Sequence, residues 1–483
     1  MKIGYLPSIS ALLKKSSIRQ GQTTSRYTIK AVKAHKPQSR PLMLDAQTKK
    51  DLEIFASEGD SQSLFELYNS TRTQGGGQIL RQRMDFPFAD AQSILAAQQA
   101  IEFIARHENI FAKIGFWITG RVERYLRDPL MFIVPRGLWS FAIGALTMKL
   151  VDNRHYIRIF RGVQLTCLLV QSLRKFLQQV ADLEISGELA PLIEEISLIL
   201  NNPEFTVVPK KELHGKNFFR VLRLDQSFRI YNKESVQRLL HVTYELDALL
   251  ALADATYANK YVIPNIIDGQ TQLAALGLTH PLLPNAIPND ISLDQESRLL
   301  FLTGPNMAGK TTYLKAIATA TYLAHLGMGV PAREFSFTPV ESLFSSISIT
   351  DNLHSGTSYF LAEVLRIKAI AEAVAGHQKV IAVMDEPFKG TNVKDALEAS
   401  SAIIRRLVSK PDCLFLFSSH LIELEDEFET GMKIKKAYFE ADESAATLHF
   451  DYQVHAGVSS QRLGMRVLSE QGVLRLLDRQ LMS

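Results

Sequence analysis

The feature that most constrains this 483-residue chain is the stretch GPNMAGKTT at 304–312, which follows directly on the apolar run Leu299 to Leu302. A short apolar run that ends in turn residues reads as a buried strand. The pattern GxxxxGK[ST] after such a strand predicts a loop that curls until successive backbone N–H groups face an anion, with a helix beginning at the lysine. Gly304, Pro305, Asn306, Met307, Ala308, Gly309, Lys310, Thr311 and Thr312 then form a nucleotide-binding set. Lys310 would neutralise the β- and γ-phosphates, and the Thr311 hydroxyl would ligate Mg²⁺. A strand, loop and helix in this order require an α/β domain.

Such a site needs an acidic residue at the end of a neighbouring buried strand. The sequence VIAVMDEP places Asp385 directly after five apolar residues, to hold the metal's hydration shell, and Glu386 next to it as general base. The apolar run Leu414 to Phe417 ends in Ser418, Ser419 and His420, again at the carboxyl end of a strand, where α/β sheets bind ligands. His420 is therefore a second catalytic candidate, donating to the γ-phosphate or to the attacking water. Between these runs lies SGTSYFLAEVLRIKAIAEAV, a small-residue turn before a helix, where Ser358 at the cap and nearby Gly356 form an anion-binding helix start.

The texture of the chain divides near Tyr261. From Leu44 to that point apolar residues recur at helical spacing. Asp90 caps a helix through Ile94 and Ile101, a second stripe carries Phe160, Leu165, Leu168, Leu169, Phe176 and Leu177, and a third carries Val236, Leu239, Leu246 and Leu250 with Thr243 as its polar member. Phe218 to Leu224 reads as one arm of a hairpin. After Tyr261, prolines mark turns and strands alternate with helices to about residue 440, as expected of a largely parallel sheet. Helix resumes after Gly457, with Ser459 or Ser460 as cap and Gly472 between two stretches. The expected architecture is a helical domain at 43–262, whose long helices suit levers, plus an α/β domain with a phosphate-binding loop at 263–483.

Residues 1–42 hold nine Lys or Arg and no acid, which predicts a basic, disordered tail or a misassigned start. Removing those nine from 54 basic residues leaves 45 against 50 acidic, so bulk charge carries no argument for nucleic acid. Two cysteines and scattered histidines point to a reducing, cytoplasmic setting without a Cys-built metal site. Pro129 to Met148 is apolar, but Arg136 interrupts it at a cost of about 2.5–3.5 kcal/mol on insertion scales, so a buried helix is expected rather than a membrane span.

GPNMAGKTT, SGTSYFLAEV, VMDEPFKGTN and SSHLIEL, in this order, resemble the nucleotide-binding motifs of the MutS family of DNA mismatch repair ATPases. The likeness extends to HAGVSSQRLGMRVL near the end. In the helical half, MLDAQTKKDLEIF, STRTQGGGQILRQRMDFPFAD and YELDALLALADATYANKYVIP are similar to the family's core. The resemblance implies a helical core and lever domain at 43–262, an ABC-type α/β P-loop ATPase domain at 263–483, and ATP and Mg²⁺ as cofactors, with Asn306, Gly309, Lys310 and Thr311 on the phosphates and Asp385 and Glu386 on metal and water. It assigns Ser358 to the partner subunit's γ-phosphate, Thr391 and Asn392 to a loop joining the two sites, His420 to a switch position, and the helices after Gly457 to dimerisation. It also implies a homodimer that acts on DNA, in mismatch repair or on branched recombination structures. Three departures bear on this. Ala308 replaces a loop glycine, which requires φ below zero there, Tyr359 replaces a hydroxyl residue, and Ala286 stands where an aromatic ring usually stacks on adenine. No Phe-x-Glu wedge occurs and no mismatch-sensing or connector domain is recognised, so mismatch reading by the chain itself is not expected. The rival readings are a regulatory ATP-binding subunit of a full-length relative and a membrane-associated ATPase.

Overall fold

The computed structural model describes residues 40–56, 62–129, 153–211, 213–214, 217–348, 359–442, 448–459, 461, 463–473 and 476–477. Packing divides the chain into two units interleaved in sequence. One contains Ser70–Leu80 and Glu102–Ala251, and the other contains Pro37–Asn69, Arg81–Ile101 and Leu252–Ser483. This division differs from the linear one expected at residue 262.

The first unit is helical. Its longest helix lying wholly within it, Asn153–Val180, buries Ile159, Val163, Cys167, Val170, Leu173, Phe176 and Val180. That stripe is rotated from the expected one, whose members Phe160, Leu165, Leu168 and Leu177 are only half-buried. The expected strand at Phe218 to Leu224 is instead the helix Phe218–Gln226. Asn217 caps it by accepting from Arg220 N, and Val221, Leu222 and Leu224 are buried at helical spacing. A cap followed by a three-residue apolar repeat outweighs the β-propensity of Phe and Val. Asp225 on this helix takes a hydrogen bond from Tyr125 Oη at 2.5 Å and pairs with Arg229 at 2.6 Å, a buried charge fully occupied by partners. Thr243 is the polar member of its stripe, and its hydroxyl donates to Leu239 O at 2.7 Å.

The second unit is built on two sheets, of six and four strands, with a separate two-stranded ladder among the described residues. Its strands are β1 (Asn265–Ile266), β2 (Leu273–Leu278), β3 (Asn289–Leu293), β4 (Leu299–Thr303), β5 (Glu334–Phe337), β6 (Ser342–Ser346), β7 (Val380–Asp385), β8 (Cys413–Ser418), β9 (Ile434–Tyr438), β10 (Ala441–Asp442), β11 (His449–Phe450) and β12 (His455–Ala456). The larger sheet has the order β12-β9-β4-β8-β7-β6 and is parallel except at the β12–β9 edge; the smaller has the order β1-β5-β2-β3. The runs at β4, β7 and β8 are the strands expected from sequence. Their near-complete burial is what a parallel sheet covered on both faces requires.

Residues near the start of the chain join this unit because they cover the edge of the larger sheet. Met43 pairs parallel with Ser342, and the short helix Ala46–Asp51 lies beside β6. The buried Asp51 accepts from Ser345 Oγ, Ile347 N and Ser348 N, while Thr48 Oγ1 accepts from Ser345 N and Arg366 Nη2. An open strand edge presents unpaired N–H groups, and these side chains satisfy them. Of the segment 1–42 expected as a tail, the described residues belong to the fold instead: Leu42 is buried and its amide donates to Pro87 O, and Pro41 pairs with Phe88. Asp90 caps its helix as expected, accepting from Ser93 N at 2.7 Å. At the other end, the helix Gly464–Glu470 begins later than expected after Gly457, and Gly472 follows it with positive φ. Residues 130–148 of the apolar stretch lie outside the described residues. Among the described residues no helix is long and apolar enough to cross a membrane.

Candidate active site

β4 is buried along its whole length and ends at Gly304, where the chain turns with φ +133°. A side chain at Gly304 would meet Phe439 O at 2.6 Å, so both the turn and the close approach of backbone require glycine. Gly309, with φ +105°, precedes the helix Lys310–His325, which no side chain caps. The helix start thus directs its amides and positive end at a cleft of about 710 Å³. Ala308 is buried and keeps φ out of the positive range, as its replacement of glycine demanded. Met307, largely exposed, takes φ +71° instead.

Lys310 is buried, and its Nζ donates to Gly304 O at 2.8 Å and Pro305 O at 3.1 Å, so the loop holds the ammonium under its own arch. Thr311 Oγ1 donates to Asp385 Oδ2 at 2.6 Å, which brings together two residues 74 positions apart. The parallel register of β7 and β8 sets Asp385 beside Ser418, whose hydroxyl donates to Asp385 Oδ1. Glu386 follows with φ +49°, and its amide donates to Ser418 O and Oγ. That turn swings the carboxylate away from the strand direction and into the cleft.

Two ammonium groups and the His420 imidazole surround Glu386. Lys310 Nζ lies 3.4 Å from Oε1, and Lys389 Nζ and His420 Nδ1 lie 3.0 and 3.7 Å from Oε2. His420 first, then Lys389 and Lys310, draw the carboxyl down to about 2, against burial that alone would raise it. A carboxylate this well neutralised is a weak base until a competing anion attracts the cations away.

Leu283, Ala286, Ile287, Phe439 and Tyr452 are among the residues that line the cleft. Ala286 offers no ring, whereas Tyr452 is a half-exposed aromatic on the lining. Thr391 and Asn392 sit at the next helix, Val393–Leu407, where Asn392 accepts from Asp395 N. Gly356 and Ser358 lie outside the described residues. The structure thus brings together Lys310, Thr311, Asp385, Glu386 and His420. Sequence reasoning gave no role to Ser418 or Lys389, although both stand inside the motifs SSHLIEL and VMDEPFKGTN. The pairing of strand ends marks Ser418, but Lys389 reaches Glu386 only because the chain reverses through positive φ at Glu386 and Phe388.

The cleft also suits a magnesium nucleotide by its donor set. A hydroxyl and a carboxylate 2.6 Å apart are hard oxygen ligands, and a buried ammonium with an uncapped helix start faces the same space. The family model of MutS domain III matches residues 47–253, and that of MutS domain V matches residues 300–476.

Proposed function

Taking as premise that the chain belongs to the MutS family, whose domain V is the ATPase domain, we propose that it binds ATP with Mg²⁺ at the 304–312 loop and hydrolyses it as a dimer acting on DNA. The observation that carries this reading is the convergence of Lys310, Thr311, Asp385 and Glu386 on one cleft from two separate strand ends. It supports an ABC-type arrangement of the P-loop ATPase.

Magnesium, when bound, supplies charge neutralisation for the phosphates, and Thr311 and Asp385 would hold it. Lys310, released from the loop carbonyls, meets the phosphate oxygens. Glu386 takes the proton of the attacking water, and Ser418 keeps the Asp385 carboxylate oriented meanwhile. His420, half-exposed beside Glu386, is placed to donate to the same water or to the γ-phosphate. Dimerisation is supported by exposed Met465, Leu468, Val473, Leu476 and Leu477 near the end of the chain, an apolar set suited to cover by a second copy. By the family resemblance, Ser358 and Gly356 would complete the partner's site. Mismatch reading would come from outside the matched segments, so matched and mismatched duplexes should bind within about threefold of each other.

The test is nucleotide binding and turnover in purified protein, followed by a panel of duplex, mismatched and branched DNA at stated salt. Lys310→Ala should lose nucleotide affinity itself. Retention of full affinity and turnover in that variant would overturn the site assignment.

A further inference from the structure

We propose that Glu363 is a positioning residue for the hydrolytic centre, acting through the backbone of Lys389 and Gly390 to hold the Lys389 ammonium against Glu386; this deepens the ATPase reading and rests on it.

Glu363 lies on the helix Tyr359–Ala375 and is only 2% exposed. Its Oε1 accepts from Lys389 N at 3.0 Å and its Oε2 from Gly390 N at 3.2 Å. Both oxygens thus grip consecutive amides of the loop that follows Glu386. A buried carboxylate is costly unless donors are fixed around it, and here the donors belong to the catalytic loop itself. Two further contacts press the same loop onto the same helix. Phe388 is buried with φ +68°, its ring 6.2 Å from that of Phe360, and Gly390 passes so close that an added Cβ would lie 2.8 Å from Phe360 N. Nothing larger than glycine fits there, so the approach is part of the fold.

With the Lys389 backbone fixed, only its side chain is free to choose a partner. It is half-exposed on the cleft lining, and its Nζ lies 3.0 Å from Glu386. A cation so placed has two acceptors in reach, the Glu386 carboxylate and any phosphate in the cleft. When phosphates arrive, transfer of the ammonium to them frees Glu386 as base. Glu363 sets the distance over which that transfer occurs. It also ties the base to the first turns of the Tyr359–Ala375 helix, so a displacement of the helix start displaces the loop carrying Lys389.

The experiment combines Glu363→Gln, Lys389→Met, Lys389→Arg and the Glu363→Gln/Lys389→Met double variant. A glutamine keeps the volume but sets an amide N–H against a backbone N–H. In nucleotide-free protein, deuterium exchange over 387–391 should quicken at least tenfold in Glu363→Gln, while exchange over 299–303 stays unchanged. The dissociation constant of a fluorescent non-hydrolysable ATP analogue should move less than threefold, because Lys310 and Thr311 are untouched, while kcat falls at least tenfold. Lys389→Met should fall to the same level, Lys389→Arg should keep at least a third of the wild-type rate, and the double variant should be no slower than either single within twofold. Unchanged exchange at 387–391, or losses that multiply in the double variant, would overturn the proposal. Should Glu363→Gln fail to fold, the half-exposed Lys389 variants still decide it: full activity in Lys389→Met is incompatible with an ammonium that must pass from Glu386 to the phosphates. A wild-type protein that neither binds nor hydrolyses ATP defeats the ATPase reading instead, and the exchange measurement then judges the grip of Glu363 alone.

Discussion

Asp247, buried in the helical unit, and Glu386, part-buried in the sheet unit, contrast a carboxylate held by fixed donors with one faced by movable side chains. Asp247 is 1% exposed and accepts from Arg72 N, Thr73 N and Thr73 Oγ1 at 2.6–3.1 Å. Most of these partners are backbone amides, which cannot leave without unfolding the turn that supplies them. Glu386 is surrounded instead by the ends of Lys310, Lys389 and His420, each able to swing to another acceptor. Fixed donors make a carboxylate a rivet; movable ones make it a reagent.

The sharpest way to break this contrast is Glu386→Gln. It should lower ATP turnover about 1000-fold, within the range for loss of a general base, while the unfolding free energy in urea changes by less than about 1 kcal/mol. Undiminished hydrolysis would remove Glu386 from the chemistry. Asp247→Ala should do the reverse, costing about 3 kcal/mol of stability by leaving the Arg72 and Thr73 amides and the Thr73 hydroxyl without their acceptor. A denaturation midpoint equal to wild type would show that those donors find other partners.

Acid extends the contrast to histidine. His325 is buried with Nδ1 2.8 Å from Thr321 O and Nε2 accepting from Val340 N, two fixed backbone partners that suit only the neutral ring. Burial pushes it down to about 4 from the usual 6.5. The unfolded chain therefore takes up the proton first. The stability this histidine contributes is complete above about 6.5 and is lost as pH falls toward 4. Between pH 7 and pH 5 the loss from His325 should be about 2 kcal/mol, measured as the fall in unfolding free energy. Stability that is flat over that interval would contradict the neutral assignment.

The smallest effect concerns the base end of the cleft. Ala286→Phe adds a ring where the wall is low and should tighten ATP about fivefold, roughly 1 kcal/mol. Unchanged affinity would mean that the base is held elsewhere on the lining, where Tyr452 is a half-exposed ring.

Much of the site was legible because its parts are local. The curl at Gly304 and Gly309, the strand before it, the acidic pair after β7 and the serines after β8 each depend on a few consecutive residues, and all appear where expected. The Phe218–Gln226 segment misled because the same apolar spacing suits a strand or a helix until a cap and a buried face choose between them. The position of residues 40–56 was hidden for another reason. Helical periodicity places them with the helical half, but hydrogen bonds to β6, formed by residues about 300 positions later, decide otherwise.

By itself, then, the sequence determined the strand–loop–helix at 304–312, the buried strands of the parallel sheet and the chemical types assembled at the cleft, since each follows from short-range sterics and burial. Only the tertiary structure decided that Ser418 orients Asp385, that Lys389 reaches Glu386 and that Glu363 grips the loop between them. Those contacts join residues 26–33 positions apart or turn on positive-φ backbone. A chain pattern shows which groups are present, but the distance between them exists only once the sheet register and the reversal after β7 have been set.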